Sequence, residues 1–142
     1  MAVFLNNKVG LKINSVDLSD HVTSATLNYA ADELEITSMG DSSHKFVAGL
    51  QSGTLTVSFL NDTATSQVLQ TLNSAFGTTV AVKMVQEKGN PTTTISATNP
   101  LYTFDILVNN LTPINGAVGD MSTQDITFTL NSVVTVASTG TY

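Results

Sequence analysis

Apolar and polar residues alternate one by one through most of this chain, and a period of two admits little except half-buried β-strand. In the first long run Ala25, Leu27 and Tyr29 fall on one side, with Thr26 and Asn28 on the other. In the next, Leu55, Val57 and Phe59 oppose Thr54, Thr56 and Ser58. The same rhythm returns in Val9–Asn14, Thr78–Val85, Tyr102–Val108 and Ile126–Leu130, and Val133, Val134 and Val136 mark a last strand. One segment follows a different period. Within Ala64–Phe76, residues Val68, Leu72, Ala75 and Phe76 sit at i, i+4, i+7 and i+8, a single helical stripe, with Gln67, Gln70, Thr71 and Ser74 opposite. Asn61–Thr63 supplies capping side chains ahead of that helix, and Gly77 is placed to end it.

Six to eight mostly antiparallel strands with one amphipathic helix predict a mainly β fold: an antiparallel β-sandwich, or a sheet partly rolled towards a barrel. The expected organisation is a single domain over residues 1–142, of a size that buries a real core. Its termini are expected to be flexible, with Met1–Lys8 a sticky arm and Ala137–Tyr142 a fraying tail. Asp17–Asp20 reads as a turn, and Glu87–Thr98 and Pro113–Asp120 as loops.

The stretch between the two long alternating runs, Ala31–Lys45, is acidic at first and then rich in Gly and Ser. Leu34 and Ile36 alternate with Glu33, Glu35 and Thr37, so a strand can continue into it. Met39–His44 has too little apolar content to pack a core of its own, and long polar excursions from compact domains carry contacts to partners. The expected interface residues are therefore Asp32, Glu33, Glu35, Met39, Gly40, Asp41, Ser42, Ser43, His44 and Lys45, in a segment that is mobile in the free chain.

Charge is scarce. Asp, Glu, Lys and Arg make up 11% of the chain, against ~25% in an ordinary domain, and there is no arginine. Twenty-two threonines and 14 serines supply polarity instead, which suits strands but leaves sheet edges poorly guarded against self-association. A net charge of −6 with five lysines opposes nucleic-acid binding, which needs clustered cations. There is no cysteine for disulfides or zinc–thiolate sites, and no apolar run approaches the ~18–20 residues of a membrane span.

Two constellations carry residue types used in catalysis or metal binding. Asp41, Ser42, Ser43 and His44 include the members of a hydrolase triad, but as neighbours on one loop they lack the convergence from rigid elements that a triad needs. Asp17, Asp20 and His21 could be drawn as metal ligands, yet turn capping accounts for the same residues. The chain is accordingly read as non-enzymatic, with no cofactor and no metal.

Taken in order, DLSDHVTSATLNYAADELEITSMGDSSHKFVAGLQSGTLTVSFLND (Asp17–Asp62), GTTVAVK (Gly77–Lys83), SATNPLYTFDILV (Ser96–Val108), PINGAVGD (Pro113–Asp120) and DITFTL (Asp125–Leu130) resemble the major tail proteins, or tail tube proteins, of siphophage-type long-tailed bacteriophages. The lack of arginine departs from that family. The resemblance implies a tail-tube-like fold whose copies form six-membered rings stacked into a hollow tube, assembled in the host bacterial cytoplasm and residing in the virion tail. It implies as partners further copies of the chain, a tape-measure protein, and tail terminator and distal tail proteins, with DNA passing through unbound. Candidate lumen-facing residues are Asp105, Thr54, Thr56 and Ser58. The alternative is a capsid-decorating or receptor-binding β-sandwich.

Overall fold

The computed structural model describes residues 7–142. Most of the expected sticky arm, Met1–Lys8, lies outside the described residues. The elements follow the alternation closely: β1 (Gly10–Ile13), β2 (Val16–Asp17), β3 (Val22–Glu35), β4 (Phe46–Leu60), α1 (Val68–Ala75), β5 (Thr79–Val85), β6 (Leu101–Leu107), β7 (Thr123–Leu130) and β8 (Thr135–Ala137). All strand pairs are antiparallel, in the order β2-β1-β5-β6-β7-β4-β3, with β8 also on β6. Among the described residues the fold is mainly β with a single α-helix, and the sheet is not closed.

The bend in this sheet comes from one strand serving two neighbours. β7 pairs with β4 from Thr123 to Thr129, and at Thr129–Leu130 it passes to β6. β8 then continues along the same side of β6, with the register advanced by two residues across Asn131–Val134. The Asn131 amide donates to the Asp105 carbonyl (2.8 Å) and Ser132 Oγ accepts from the Asp105 amide (2.8 Å), so this bulge stays tied to β6. A strand that passes from one neighbour to another can fold a sheet over on itself. β3–β4–β7 thus forms one layer and β1–β5–β6–β8 the other.

The core fills the fold between them. Leu55, Val57 and Phe59 of β4 and Ile126 and Phe128 of β7 meet Leu11 and Ile13 of β1, Val80 and Val82 of β5, and Phe104 and Ile106 of β6. α1 adds Val68, Leu72 and Ala75. The layers do not meet everywhere: a cleft of about 280 Å³, lined by Val9, Ala25, Leu27, Tyr29, Met84 and Tyr102, marks the open seam.

Two sequence expectations need correction. The helix is shorter than Ala64–Phe76 because Asp62 Oδ1 accepts from the Ala64 amide (2.8 Å), holding a separate turn ahead of Val68. At its other end Phe76 is already extended (φ −55°, ψ 131°), which swings it off the stripe and leaves it exposed while Thr71 takes the buried position. At the C-terminal tail, Lys12 Nζ donates to the Tyr142 carbonyl (2.9 Å) and lies 4.5 Å from the centre of its ring. The Tyr142 hydroxyl lies 3.2 Å from Ser19 Oγ, and burial pushes its pKa up to about 12. Gly10 makes room for this ring, since a Cβ there would stand 2.8 Å from the Tyr142 hydroxyl.

Candidate functional site

β3 and β4 are far longer than the rest of the sheet. β7 covers β4 only from Thr54 to Leu60, so from Gly53 to Phe46 the sole partner of β4 among the described residues is β3. This half of the hairpin leaves the body as a two-stranded ribbon about 20 Å long. Every residue from Asn28 to Ser52 is exposed except Asp41 and Gly49, which are half-buried. The expected loose excursion is therefore strand as far as Glu35, and the apolar patch at Phe46–Leu50 belongs to β4 itself. Local alternation allowed that continuation, and pairing of Glu33 with Ala48, Leu34 with Val47 and Glu35 with Phe46 realises it.

Within the ribbon the strands slip once. The pair Ala31–Gln51 is followed by Glu33–Ala48, so Gly49 and Leu50 stand opposite Asp32 as a β-bulge. Gly49 suits that spot, because a Cβ would lie 3.0 Å from Leu34 Cδ1 and 3.2 Å from Asp32 Cβ. Beyond the bulge Leu34 and Val47 share one face, and Glu33, Glu35, Ala48 and Phe46 share the other. Both faces carry apolar side chains in water: Leu34, Ile36, Phe46, Val47 and Leu50 are all about half exposed or more, and Met39 is fully exposed.

The connecting turn is bonded to itself. The Ile36 amide donates to the Lys45 carbonyl (2.8 Å), and Thr37 Oγ1 accepts from the Lys45 amide (2.9 Å). Asp41 Oδ2 accepts from the Ser38 amide (2.8 Å), while its Oδ1 meets Lys45 Nζ at 2.8 Å. His44 Nδ1 bonds Glu35 Oε2, which also accepts from Thr37 Oγ1. Gly40 takes a left-handed conformation (φ 92°) at the tip beside Met39, followed by exposed Ser42 and Ser43. The turn thus meets several of its own polar groups within the hairpin.

His44 is thus bonded to Glu35, and Asp41 to Lys45 and Ser38; neither is bonded to its neighbours Ser42 and Ser43, so no triad forms. Asp17, Asp20 and His21 also diverge: Asp17 bonds Ser19 (2.5 Å) and Lys88 (2.8 Å), whereas His21 Nε2 lies 2.9 Å from Asp62 Oδ2.

The Lys45 ammonium, with the Ser38 amide, holds the Asp41 carboxyl below the usual carboxylate range. Since the folded pKa is depressed, the stabilisation is complete above ~3.9 and is lost as pH falls through the folded midpoint. The Asp41 carboxyl carbon, followed by NMR, is expected to titrate below an ordinary aspartate, and Lys45→Met should move its midpoint upward. A midpoint unchanged by that substitution would show that the pair does not form in solution.

The four candidate lumen residues share the outer face of the bent sheet. Thr54 and Thr56 are exposed and Ser58 half-exposed on β4, beside Thr129, Thr127 and Asp125 of β7. Asp105 is half-exposed on β6, beyond the corner at Thr129. The structure brings the ten loop residues together on one ribbon but sets Asp105 on a different layer from the three β4 residues.

A second exposed element had no periodic signal to reveal it. The loop of residues 108–122 joins β6 to β7 and carries Ile114, Val118 and Met121, at 94%, 106% and 72% exposure. Its root is clasped: Asn61 Nδ2 donates to Ser122 Oγ (2.9 Å), the wholly buried Gln124 donates from Nε2 to Asn61 Oδ1 (2.8 Å), and its Oε1 accepts from the Thr112 amide (3.3 Å). Gln124→Leu leaves Asn61 Oδ1 and the Thr112 amide without these partners and is expected to cost about 1–3 kcal/mol in urea unfolding. No loss at all would mean that the clasp does not hold the loop.

No protein-family model matches this chain, and no curated protein matches it. Among the described residues, no helix is long and apolar enough to cross a membrane.

Proposed function

We propose that this chain is a structural subunit that assembles with copies of itself into stacked hexameric rings, forming the hollow tail tube of a siphophage-type virion through which DNA is delivered. One observation carries the reading: a two-stranded ribbon with apolar side chains on both faces stands exposed, on a 14-residue edge strand that has no second neighbour among the described residues. An isolated two-stranded hairpin is marginal in water, and an unguarded edge strand is a template for another chain. The edge is defended by neither proline nor lysine; its only charges are Asp32, Glu33 and Glu35. A head-to-tail contact between identical copies closes into a ring when its rotation permits, and rings that stack extend into a fibre.

In this reading the expected loop residues make the contacts between subunits or rings. Thr54, Thr56 and Ser58 face the bore, a hydroxyl-rich wall beside Asp125 that gives DNA nothing to adhere to, while Asp105, on the other layer, does not share that wall. The tape-measure protein fills the bore during assembly, and tail terminator and distal tail proteins close its ends. The role is non-catalytic and uses no cofactor.

Negative-stain microscopy of the purified protein tests this directly. Filaments with a hollow axis are the expected result. Isolated monomers or trimers at high concentration would overturn the reading in favour of a capsid-decorating or receptor-binding virion protein.

A further inference from the structure

The exposed apolar elements lie at opposite ends of one strand. β4 begins at Phe46 in the ribbon and ends at Leu60, whose register partner Thr123 closes the loop of residues 108–122. The two ends are about 45 Å apart along the strand. At one end stand Met39 and Phe46, and at the other Ile114, Val118 and Met121. Phe76 is exposed at the root of the second end, where the next residue, Gly77, donates to the Val108 carbonyl.

We infer that these ends are the two halves of one contact, and that the ribbon of one copy seats on the 108–122 loop of the next. This rests on the self-assembly reading and names the surface that receives the ribbon. Size supports it: Ala30–Ser52 supply about 23 residues, within the ~20–30 that one side of a stable interface uses.

Charge selects the pairing. Two ribbons face to face would set Asp32, Glu33, Glu35 and Asp41 against their own copies, with only Lys45 and His44 to offset them. Like charges opposed across an interface reject that partner. The 108–122 loop carries a single charge, Asp120, already accepting from the Ala117 amide (3.3 Å). Ribbon on loop therefore buries apolar surface at both ends without opposing two acidic clusters. The clasp at Asn61 and Gln124 fixes the loop's root before contact, so little ordering is lost on docking. Because donor and receiver lie at opposite ends, the contact is heterologous and repeats along an axis.

The absence of cysteine makes the test clean. Met39→Cys and Val118→Cys, both at exposed positions, are prepared separately, checked for folding by circular dichroism, mixed in equal amounts and treated with a flexible bismaleimide. Assembly is followed in parallel by sedimentation. Peptide mass spectrometry is expected to find mixed 39–118 links well in excess of 39–39 and 118–118 links, and the double variant should give covalent ladders. Assemblies that sediment but yield like-with-like links, or none, would overturn this pairing and leave the tube reading standing. A mixture that never assembles would overturn both.

Discussion

A chain lacking Met39–His44 is expected to fold as the full chain does and to form no tubes. The deletion is mild for the monomer because Ile36 already pairs with Lys45, so Thr37 and Ser38 remain as a two-residue connection, the commonest length for a β-hairpin. It removes exposed side chains and no core residue. Circular dichroism should therefore be nearly unchanged. For assembly the loss is large: Met39 goes, as do the Asp41–Lys45 and His44–Glu35 pairs that fix the tip. Loss of about 1.4 kcal/mol per contact raises the concentration needed for association roughly tenfold, and the proposed ring would present that contact once per subunit, so the effect multiplies. Tubes of ordinary length from the deleted chain would sink the claim that this tip makes the assembling contact. A variant that fails to fold would show instead that the ribbon belongs to the domain's own stability.

Much of the architecture is legible from alternation alone, because burial of one strand face imprints its period on the residues that fill it. Leu55, Val57, Phe59, Phe104, Ile106, Ile126 and Phe128 are buried where the period places them. The corner at Thr129 is not legible, since strand switching depends on which distant strand lies alongside and leaves no break in TFTL. Phe76 was misplaced for a local reason: periodicity extends a helix until something stops it, and the backbone stops at Ala75. The ribbon is the instructive case. Leu34 and Ile36 carry the alternation of a half-buried strand, so β-structure is legible there, but nothing among the described residues covers them. Pattern reports what a residue is suited to touch, not whether the partner belongs to the same molecule. For the same reason Ile114, Val118 and Met121, which follow no period, escaped notice as a surface.

The inside and outside of the sheet can be tested at two neighbouring residues of β7. Phe128→Ala is expected to destabilise the fold by about 3–5 kcal/mol, the usual cost of emptying an aromatic site in a core. Phe128 has no exposed surface and stands opposite Leu55, on the strand that joins the two layers and next to its corner at Thr129, so the cavity cannot be relieved by solvent. Domains of this size are commonly stable by only about 5–15 kcal/mol, and the midpoint of thermal unfolding should fall by roughly 6–20 °C. Thr127→Val, one residue away, should change stability by no more than about 0.5 kcal/mol, because Thr127 is exposed and gives up only a 3.2 Å contact between its hydroxyl and that of Thr56. A one-residue slip of β7 would exchange these two roles, since every side chain of a strand changes face together. Equal effects, or a larger loss from Thr127→Val, would therefore overturn the register that puts Thr54, Thr56 and Thr127 on the outer wall, and with it the assignment of that wall to the bore.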